Sequence, residues 1–193
     1  MASPSKCTIT YRKRPSRRAP PVPKDDYRIE ALQDGTRVLV RPLHPEDHEF
    51  ERTFIKHLSP RSRRLRFLGD FKEPSPALLD QLMNVDYVHE MAYVALIHEN
   101  GRLREVGVSR YATSADGRQC ECAVTVANGW RQRGLTPLLM RHLIDVARKH
   151  GLTGMFTVED PANDGIRELA GHLGFQCAAE PCDPQLVRYT LSL

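Results

Sequence analysis

The stretch with the clearest chemical potential is Trp130-Arg131-Gln132-Arg133-Gly134-Leu135-Thr136, which lies between a predicted strand and a long amphipathic helix. Backbone N–H groups in the first turn of a helix lack intrahelical acceptors, and the helix dipole adds partial positive charge there. A glycine lets the backbone approach an anion closely, and flanking arginines add donors. The stretch therefore suits a diphosphate. The alternative is a basic helix start with an incidental glycine, and these residues alone do not decide between the two.

One carboxylate, Glu121, stands in an otherwise apolar run. Strand alternation places its side chain on one face with Ala123 and Thr125, opposite Cys122 and Val124. A carboxylate is costly to bury there without a partner or a purpose. It is either a general base, a solvent-facing residue or half of an ion pair with an arginine, and the pattern alone favours the last two.

The cysteines do not indicate a metal site. Cys120 with Cys122 and Cys177 with Cys182 are spaced C-x-C and C-x4-C, unlike the C-x2-C of zinc knuckles. With Cys7 the number is odd, and a domain of 193 residues needs no disulfide. We interpret all five as reduced structural thiols and predict no metal.

Charge divides the chain into two parts. Residues 1–24 carry seven Lys and Arg, no acid and five prolines, so the rest has a net charge of −3 within the total of +4. We predict a disordered tail over 1–26 and a folded domain over 27–193. The acidic domain argues against nucleic-acid binding, although the tail could tether nucleic acid or a membrane surface. Neither a signal sequence nor an apolar run of roughly 20 residues is present, so we expect a cytoplasmic protein without membrane association.

Hydrophobic periodicity predicts the order β-α-α-α-β-β-β-α-β-α-β, which is typical of an α/β mixed sheet. Turn signals at Asp34-Gly35, Asn100-Gly101 and Asp116-Gly117 separate several of these elements. The predicted strands span 36–41, 91–97, 105–113, 119–126, 154–158 and 187–191, and the predicted helices begin near residues 45, 60, 76, 135 and 164.

Several short motifs in this order resemble the GNAT superfamily of N-acetyltransferases. Residues 131–136 match its coenzyme A signature, Q/R-x-x-G-x-G/A, except at Thr136. Val106-Gly107-Val108-Ser109-Arg110-Tyr111 and Glu121-Cys122-Ala123-Val124 are similar to the acetyltransferase domain of Pat-type bacterial protein lysine acetyltransferases. Segments 59–67 and 85–87 also resemble that group, and segments 163–166 and 173–175 resemble the late helix and the following strand of the superfamily. The similarity therefore runs from about residue 36 to the C-terminus.

The resemblance implies a fold and a co-substrate. The fold is a mostly antiparallel sheet, flanked by helices and splayed open between the strands at 119–126 and 154–158. The co-substrate is acetyl-CoA, with its pantetheine arm in that gap and its diphosphate at the start of the following helix. The implied coenzyme-binding residues are Val124, Thr125, Val126, Arg131, Gln132, Arg133, Gly134, Leu135, Thr136 and Asn163. At Thr136 the hydroxyl could bond a phosphate or the branched side chain could crowd one.

The resemblance also implies a mechanism. A lysine amine has a pKa near 10.4 and must lose a proton before it attacks, and Glu121 is the implied general base. Attack is direct, within a ternary complex, on a thioester carbonyl polarised by a strand N–H. Cys122 is expected to point away from the coenzyme and to carry no acyl group. Many GNAT enzymes protonate the leaving thiolate with a tyrosine at the position of Ala170, which Pat-type domains also tend to lack, and the thiolate could then take its proton from water.

The acceptor is the part of the reaction that the sequence defines least. By the layout of the family, Asp86 and Tyr111 lie near the acceptor mouth, and Asp86 alternatively caps a turn. The resemblance implies an exposed lysine on another protein as the acceptor. The alternatives are a small-molecule amine, and a non-catalytic acyl-CoA-sensing module in which Thr136 marks a decayed site. The sequence does not predict an oligomeric state.

Overall fold

The computed structural model describes residues 21–23, 26–67 and 71–193. Most of the predicted tail, with Cys7, lies outside these residues. Within the part that is described, Val22 packs against the core and Asp26 accepts a hydrogen bond of 2.6 Å from the hydroxyl of Tyr93. The segment just before Tyr27 therefore contacts the folded body.

The described residues form eight strands and five helices. The strands are β1 (Arg28–Ala31), β2 (Arg37–Pro42), β3 (Glu90–Glu99), β4 (Arg102–Thr113), β5 (Gln119–Val126), β6 (Gly154–Glu159), β7 (Gln176–Ala179) and β8 (Val187–Ser192). The helices are α1 (His48–His57), α2 (Pro60–Phe67), α3 (Pro76–Met83), α4 (Leu135–Lys149) and α5 (Asp164–Leu173), with short 3-10 turns at Pro45–Asp47 and Asn128–Trp130. Every predicted element is present, and the short strands β1 and β7 are additional.

One sheet joins all the strands in the order β1-β2-β3-β4-β5-β6-β8-β7. All neighbours are antiparallel except β5 and β6, which are parallel. Adjacent residues of β4 show which helices cover each face: the Ser109 hydroxyl reaches the Leu139 carbonyl of α4, and Arg110 reaches Glu51 of α1. The predicted mixed, mostly antiparallel sheet between two helical layers is confirmed.

Helix α4 forms the centre of one layer. Leu135, Leu139 and Leu143 recur at a spacing of four residues, and none of them is exposed. They pack closely on β4 because Gly107 has no side chain: a Cβ at that position would lie 3.0 Å from Cδ1 of Leu139. The apolar stripe thus fixes the position of the helix start, where the anion-binding stretch lies.

Under the other layer lies a buried cluster of charged side chains. Arg41 bonds both carboxylate oxygens of Asp47, at 2.6 and 2.7 Å, and Arg110 bonds Glu51 at 3.2 Å. Glu105 is 4% exposed, and within the described part of the chain neither of its oxygens has a conventional donor. Burial, together with the charge of Glu51 and the hydrogen bond shared with it, raises the pKa of Glu105 well above the ordinary glutamate value. A proton on Glu105 therefore accounts for the pairing of the two carboxyls.

We expect the free energy of unfolding to fall as pH rises from the ordinary glutamate pKa to the raised pKa of Glu105. Over that window the folded protein holds a proton that the unfolded chain has released, so higher pH favours unfolding. Glu105→Gln stays neutral and should flatten this slope, as measured by urea unfolding between pH 5 and 9. The exposed Asp80→Asn on α3 is the control, and equal slopes in wild type and Glu105→Gln would disprove the assignment.

Candidate active site

The stretch before α4 has the backbone shape of an anion cradle. Gln132 (φ +61°) and Gly134 (φ +84°) are both left-handed, and Gly134 is the N-cap of the helix. Alternating left-handed residues turn successive N–H groups towards one point, which forms a concave site for anions. Pro137 removes one donor from the first turn, so the remaining N–H groups of Leu135 and Thr136 are the helical donors.

The two arginines of this stretch are held by other parts of the protein. Arg131 donates to the hydroxyl of Ser62 on α2 at 2.8 Å. Arg133 stacks over the Trp130 ring, 4.8 Å from its centroid, and pairs with Asp34 at 3.2 Å. These contacts fix the cradle between α2 and the β1–β2 turn, and Asp34 offsets the charge of Arg133, whereas Arg131 bonds a neutral hydroxyl.

A residue outside the motif also reaches the cradle. The side chain of Gln33, in the β1–β2 turn, lies 3.4 Å from the point that a Cβ of Gly134 would occupy. The Gln33 N–H also bonds the carbonyl of Arg133, at 3.5 Å. Gln33 is a neighbour of the cradle that sequence reasoning missed, because the two segments are about a hundred positions apart.

The sheet opens where the strands β5 and β6 separate. Their pairing covers only residues 119–121 and 154–156. The Gln119 carbonyl and the Ala127 N–H both form hydrogen bonds on the β4 side of β5. The odd-numbered residues of β5 therefore direct their N–H and C=O groups towards β4. The backbone groups of Cys122, Val124 and Val126 consequently point into the gap. This free edge starts beside the cradle and runs inward to Glu121.

The side chains at this edge divide between the two faces. Val124 faces α4 and lines the gap. Thr125 faces α1 and α2, is 8% exposed, and within the described residues its hydroxyl has no partner. Thr136, in the first turn of α4, is half-buried beside the cradle.

Glu121 occupies the inner end of the gap, at the last position where β5 still pairs with β6. Its cross-strand partner Ala112 lies on the α1–α3 face, so Glu121 projects to that side. Burial raises the pKa of Glu121, and the charges of Arg188 and Arg66 offset the rise in part. A half-buried carboxylate with a raised pKa is suited to accept a proton from a substrate.

A small cavity, open to solvent, lies in the gap on the α4–α5 side. Its wall is apolar except for Thr157 and Glu159 at the end of β6 and the thiol of Cys122. The lining residues are Cys122, Ala123, Val124, Met140, Thr157, Glu159, Ile166, Leu169, Ala170, Leu173 and Phe175. Ala170 is one of these lining residues and is 4% exposed.

Glu159 is fixed in this cavity by two hydrogen bonds. The Thr157 hydroxyl donates to Oε1 at 2.8 Å, and the Asn163 amide donates to Oε2 at 2.9 Å. Asn163 precedes α5 and is half-buried. Sequence reasoning missed Glu159, although Thr157 and Glu159 are polar residues two positions apart at the end of an apolar strand, and such a pair indicates one polar face.

Cys122 lines this cavity. Its side chain is on the α4 side of the sheet, opposite the face to which Glu121 projects. Burial raises the pKa of this thiol well above the ordinary cysteine value, and the nearby Cys120 adds to the rise. The group therefore remains a protonated thiol, which is a poor nucleophile.

We expect Cys122→Ala to retain turnover within about threefold of wild type, because direct transfer requires no acyl carrier. The measurement is steady-state release of coenzyme A, and wild-type protein quenched during turnover should show no acetylated cysteine by mass spectrometry. An acetyl group on Cys122, or loss of activity in a folded variant, would refute direct attack.

The structure does not bring the two proposed acceptor residues to the cavity. Asp86 accepts from the N–H groups of Val88, His89 and Glu90 at 2.7–3.0 Å. Burial raises the pKa of Asp86, but these bonds outweigh it and the pKa is lowered. Tyr111 is 2% exposed on the α4 face, and its hydroxyl contacts Nδ1 of His150 at 2.6 Å.

The described residues contain no group of three or more His, Cys, Asp or Glu placed to hold a metal ion. Cys120 and Cys122 are buried, whereas Cys177 and Cys182 are exposed. Every helix in these residues is too short or too polar to span a lipid bilayer.

Comparison with solved structures shows the fold. The GNAT domain of S. lividans PAT superposes with a TM-score of 0.80 at 23% identity, covering 89% of this chain and 99% of that domain. The yncA protein of Salmonella typhimurium, solved with its cofactor acetyl-CoA, superposes with a TM-score of 0.61 at 21% identity, covering 81% of this chain and 94% of that one.

Comparison of sequences shows the family. The protein named Acetyltransferase PA5475, from Pseudomonas aeruginosa, is 54% identical over 168 residues, which is 87% of this chain and 90% of that protein. The profile of the acetyltransferase (GNAT) family matches residues 55–175, a span that contains the cradle, Glu121 and the whole cavity. The chain therefore belongs to the GNAT family of acyl-CoA-dependent N-acetyltransferases.

Proposed function

We propose that this protein transfers the acetyl group of acetyl-CoA to the side-chain amine of a lysine on another protein, by direct attack in a ternary complex. The observation that carries the proposal is the position of Glu121. It stands at the inner end of the free β5 edge, with the anion cradle at the outer end. A coenzyme anchored by its diphosphate and extended along that edge would present its thioester beside this carboxylate.

The residues that would hold the coenzyme follow from this route. The N–H groups from Gln132 to Thr136 would bind the diphosphate, and the Thr136 hydroxyl would add one further donor. The backbone of Val124 and Val126 would pair with the pantetheine amides as a strand does. An N–H group of the same edge would polarise the thioester carbonyl, which bound acetyl-CoA supplies as the electrophile.

The acceptor side of the sheet supports a cationic substrate. Glu90, Ala112 and Glu121 form one cross-strand row on the α1–α3 face. Neighbours in such a row are about 5 Å apart, so two carboxylates flank a small alanine. Ala112 leaves room for the methylene chain of a lysine, and Glu121 would attract its ammonium group, with the charges of Arg188 and Arg66 offsetting part of that attraction. Glu121 would then accept the proton that the amine loses on attack.

The test is mass spectrometry of a protein extract incubated with acetyl-CoA and either wild-type protein or Glu121→Gln. We expect acetyl-lysines that appear only with wild type. A panel of small amines, assayed in parallel by release of coenzyme A, is the comparison. Rapid turnover of a small amine without new acetyl-lysines would assign a small-molecule acceptor, and binding of acetyl-CoA without any turnover would indicate a sensing module.

A further inference from the structure

Transfer of the acetyl group leaves coenzyme A as a thiolate, and no side chain described so far supplies its proton. Glu121 accepts a proton and cannot donate one in the same step. A thiolate expelled into an apolar cavity is poorly solvated, so a proton donor there would lower the barrier to C–S cleavage. The cavity between β5, β6, α4 and α5 is where such a donor must lie.

Glu159 is the one carboxyl among the described residues that line this cavity. It is 9% exposed, and its neighbours on the wall are mostly apolar. The bonds from Thr157 and Asn163 hold both of its oxygens, so the side chain has a defined orientation. An immobilised acid in an apolar pocket is an arrangement that favours proton donation.

The electrostatics of the cavity favour a protonated carboxyl. Burial raises the pKa of Glu159, and the charge of Asp160 adds to the rise. The hydrogen bonds from Thr157 and Asn163 and the charge of Arg66 act in the opposite direction, but the net shift is upward. The group therefore keeps its proton to a higher pH than an ordinary glutamate does.

Register places the two glutamates on opposite sides of the gap. Glu121 pairs with Phe156, so these two share the α1–α3 face. Glu159 is three residues further along β6, which puts it on the α4–α5 face and about 10 Å from that pair along the strand. A thioester in the gap would thus have one carboxyl on the amine side and the other on the sulfur side.

We propose that Glu159 is the general acid that protonates the departing sulfur of coenzyme A. The proposal rests on the acetyl transfer proposed above. The amine nitrogen forms a bond to the carbonyl carbon, and Glu121 takes a proton from that nitrogen. The C–S bond breaks with its electron pair on sulfur, and the proton of Glu159 forms the S–H bond. Water then returns a proton from Glu121 to Glu159, so one amine and one thioester give one amide and one thiol.

The first test is Glu159→Gln, with Glu168→Gln as the matched control, since Glu168 is exposed on α5 and is not among the residues that line the cavity. We expect kcat with acetyl-CoA to fall about 10²-fold in Glu159→Gln, with unchanged coenzyme affinity by calorimetry. The control should keep its activity. Wild-type kcat in Glu159→Gln, or a change in KM alone, would overturn the proposal.

The second test varies the leaving group. The selenoester analogue of acetyl-CoA releases a selenolate, which is a weaker base and needs little protonation. Glu159→Gln should therefore approach wild-type kcat with the selenoester, whereas a structural defect would slow both donors equally and disprove the role. Wild-type protein that transfers acetyl groups from neither donor would instead refute the proposed function itself.

Thr157→Val tests the role of Glu159 through the pH dependence of kcat, without replacing Glu159 itself. Loss of the Thr157 hydrogen bond removes an effect that lowers the pKa of Glu159. The alkaline limb of the kcat–pH profile, where the acid loses its proton, should therefore move to higher pH. A limb that stays in place would count against Glu159 as the acid.

Discussion

Glu121→Gln is expected to lower kcat by roughly 10²–10⁴-fold while acetyl-CoA binds with nearly wild-type affinity. Glutamine keeps the size of the side chain at the inner end of the gap and removes only its capacity to accept a proton. Steady-state release of coenzyme A with a lysine-containing protein substrate measures the loss, and calorimetry with acetyl-CoA measures the affinity.

The pH profile separates a base from a merely structural residue. Glu121 must be ionised to accept a proton, so wild-type kcat/KM should rise with pH through a pKa above the ordinary glutamate value. That rise should vanish in Glu121→Gln. Activity at neutral pH that survives the substitution would assign the base to another group.

Gly134→Glu is expected to abolish measurable binding of acetyl-CoA. The substitution places a negative side chain against the diphosphate and beside Gln33, at a left-handed position (φ +84°) that only glycine adopts without strain. Strain of about 1–2 kcal/mol should lower stability without unfolding the domain. Calorimetry with acetyl-CoA, beside circular dichroism to verify folding, provides the measurement.

Gly117→Glu is the matched control for this substitution. Gly117 is also left-handed (φ +72°), but it lies in the β4–β5 turn, where no atom of the described residues beyond its chain neighbours lies within 4 Å of the position that a Cβ would occupy. It therefore introduces the same charge and the same backbone strain away from the cradle. Equal loss of affinity in both variants would show that strain, rather than the anion site, explains the result at Gly134.

The sequence predicted the parts of the fold that depend on local patterns. The stripe of leucines in α4 and the turns at Asn100-Gly101 and Asp116-Gly117 place elements without knowledge of their neighbours. β7, with the sequence Gln-Cys-Ala-Ala, was missed because all four residues are exposed and two are small. Its pairing with β8 creates the strand, and local propensity does not indicate it.

The parts of the site that depend on local patterns were likewise predicted from the sequence. The cradle lies within one short segment, and strand alternation indicated which residues share a face with Glu121. Which of Cys122, Glu121 and Glu159 line the cavity depends on the face of the sheet that the cavity occupies, and the sequence does not define that face. The resemblance implied Tyr111 near the acceptor, and the structure buries Tyr111 beneath α4, on the face opposite to that of Glu121.

The structure of the protein in complex with acetyl-CoA, determined crystallographically, tests the central claim most directly. We predict the diphosphate within hydrogen-bonding distance of the N–H groups at the start of α4, with the pantetheine along Val124–Val126 and the thioester sulfur nearest Glu159. A coenzyme whose diphosphate lies away from residues 132–136, or whose acetyl group lies outside the gap between β5 and β6, would contradict the account.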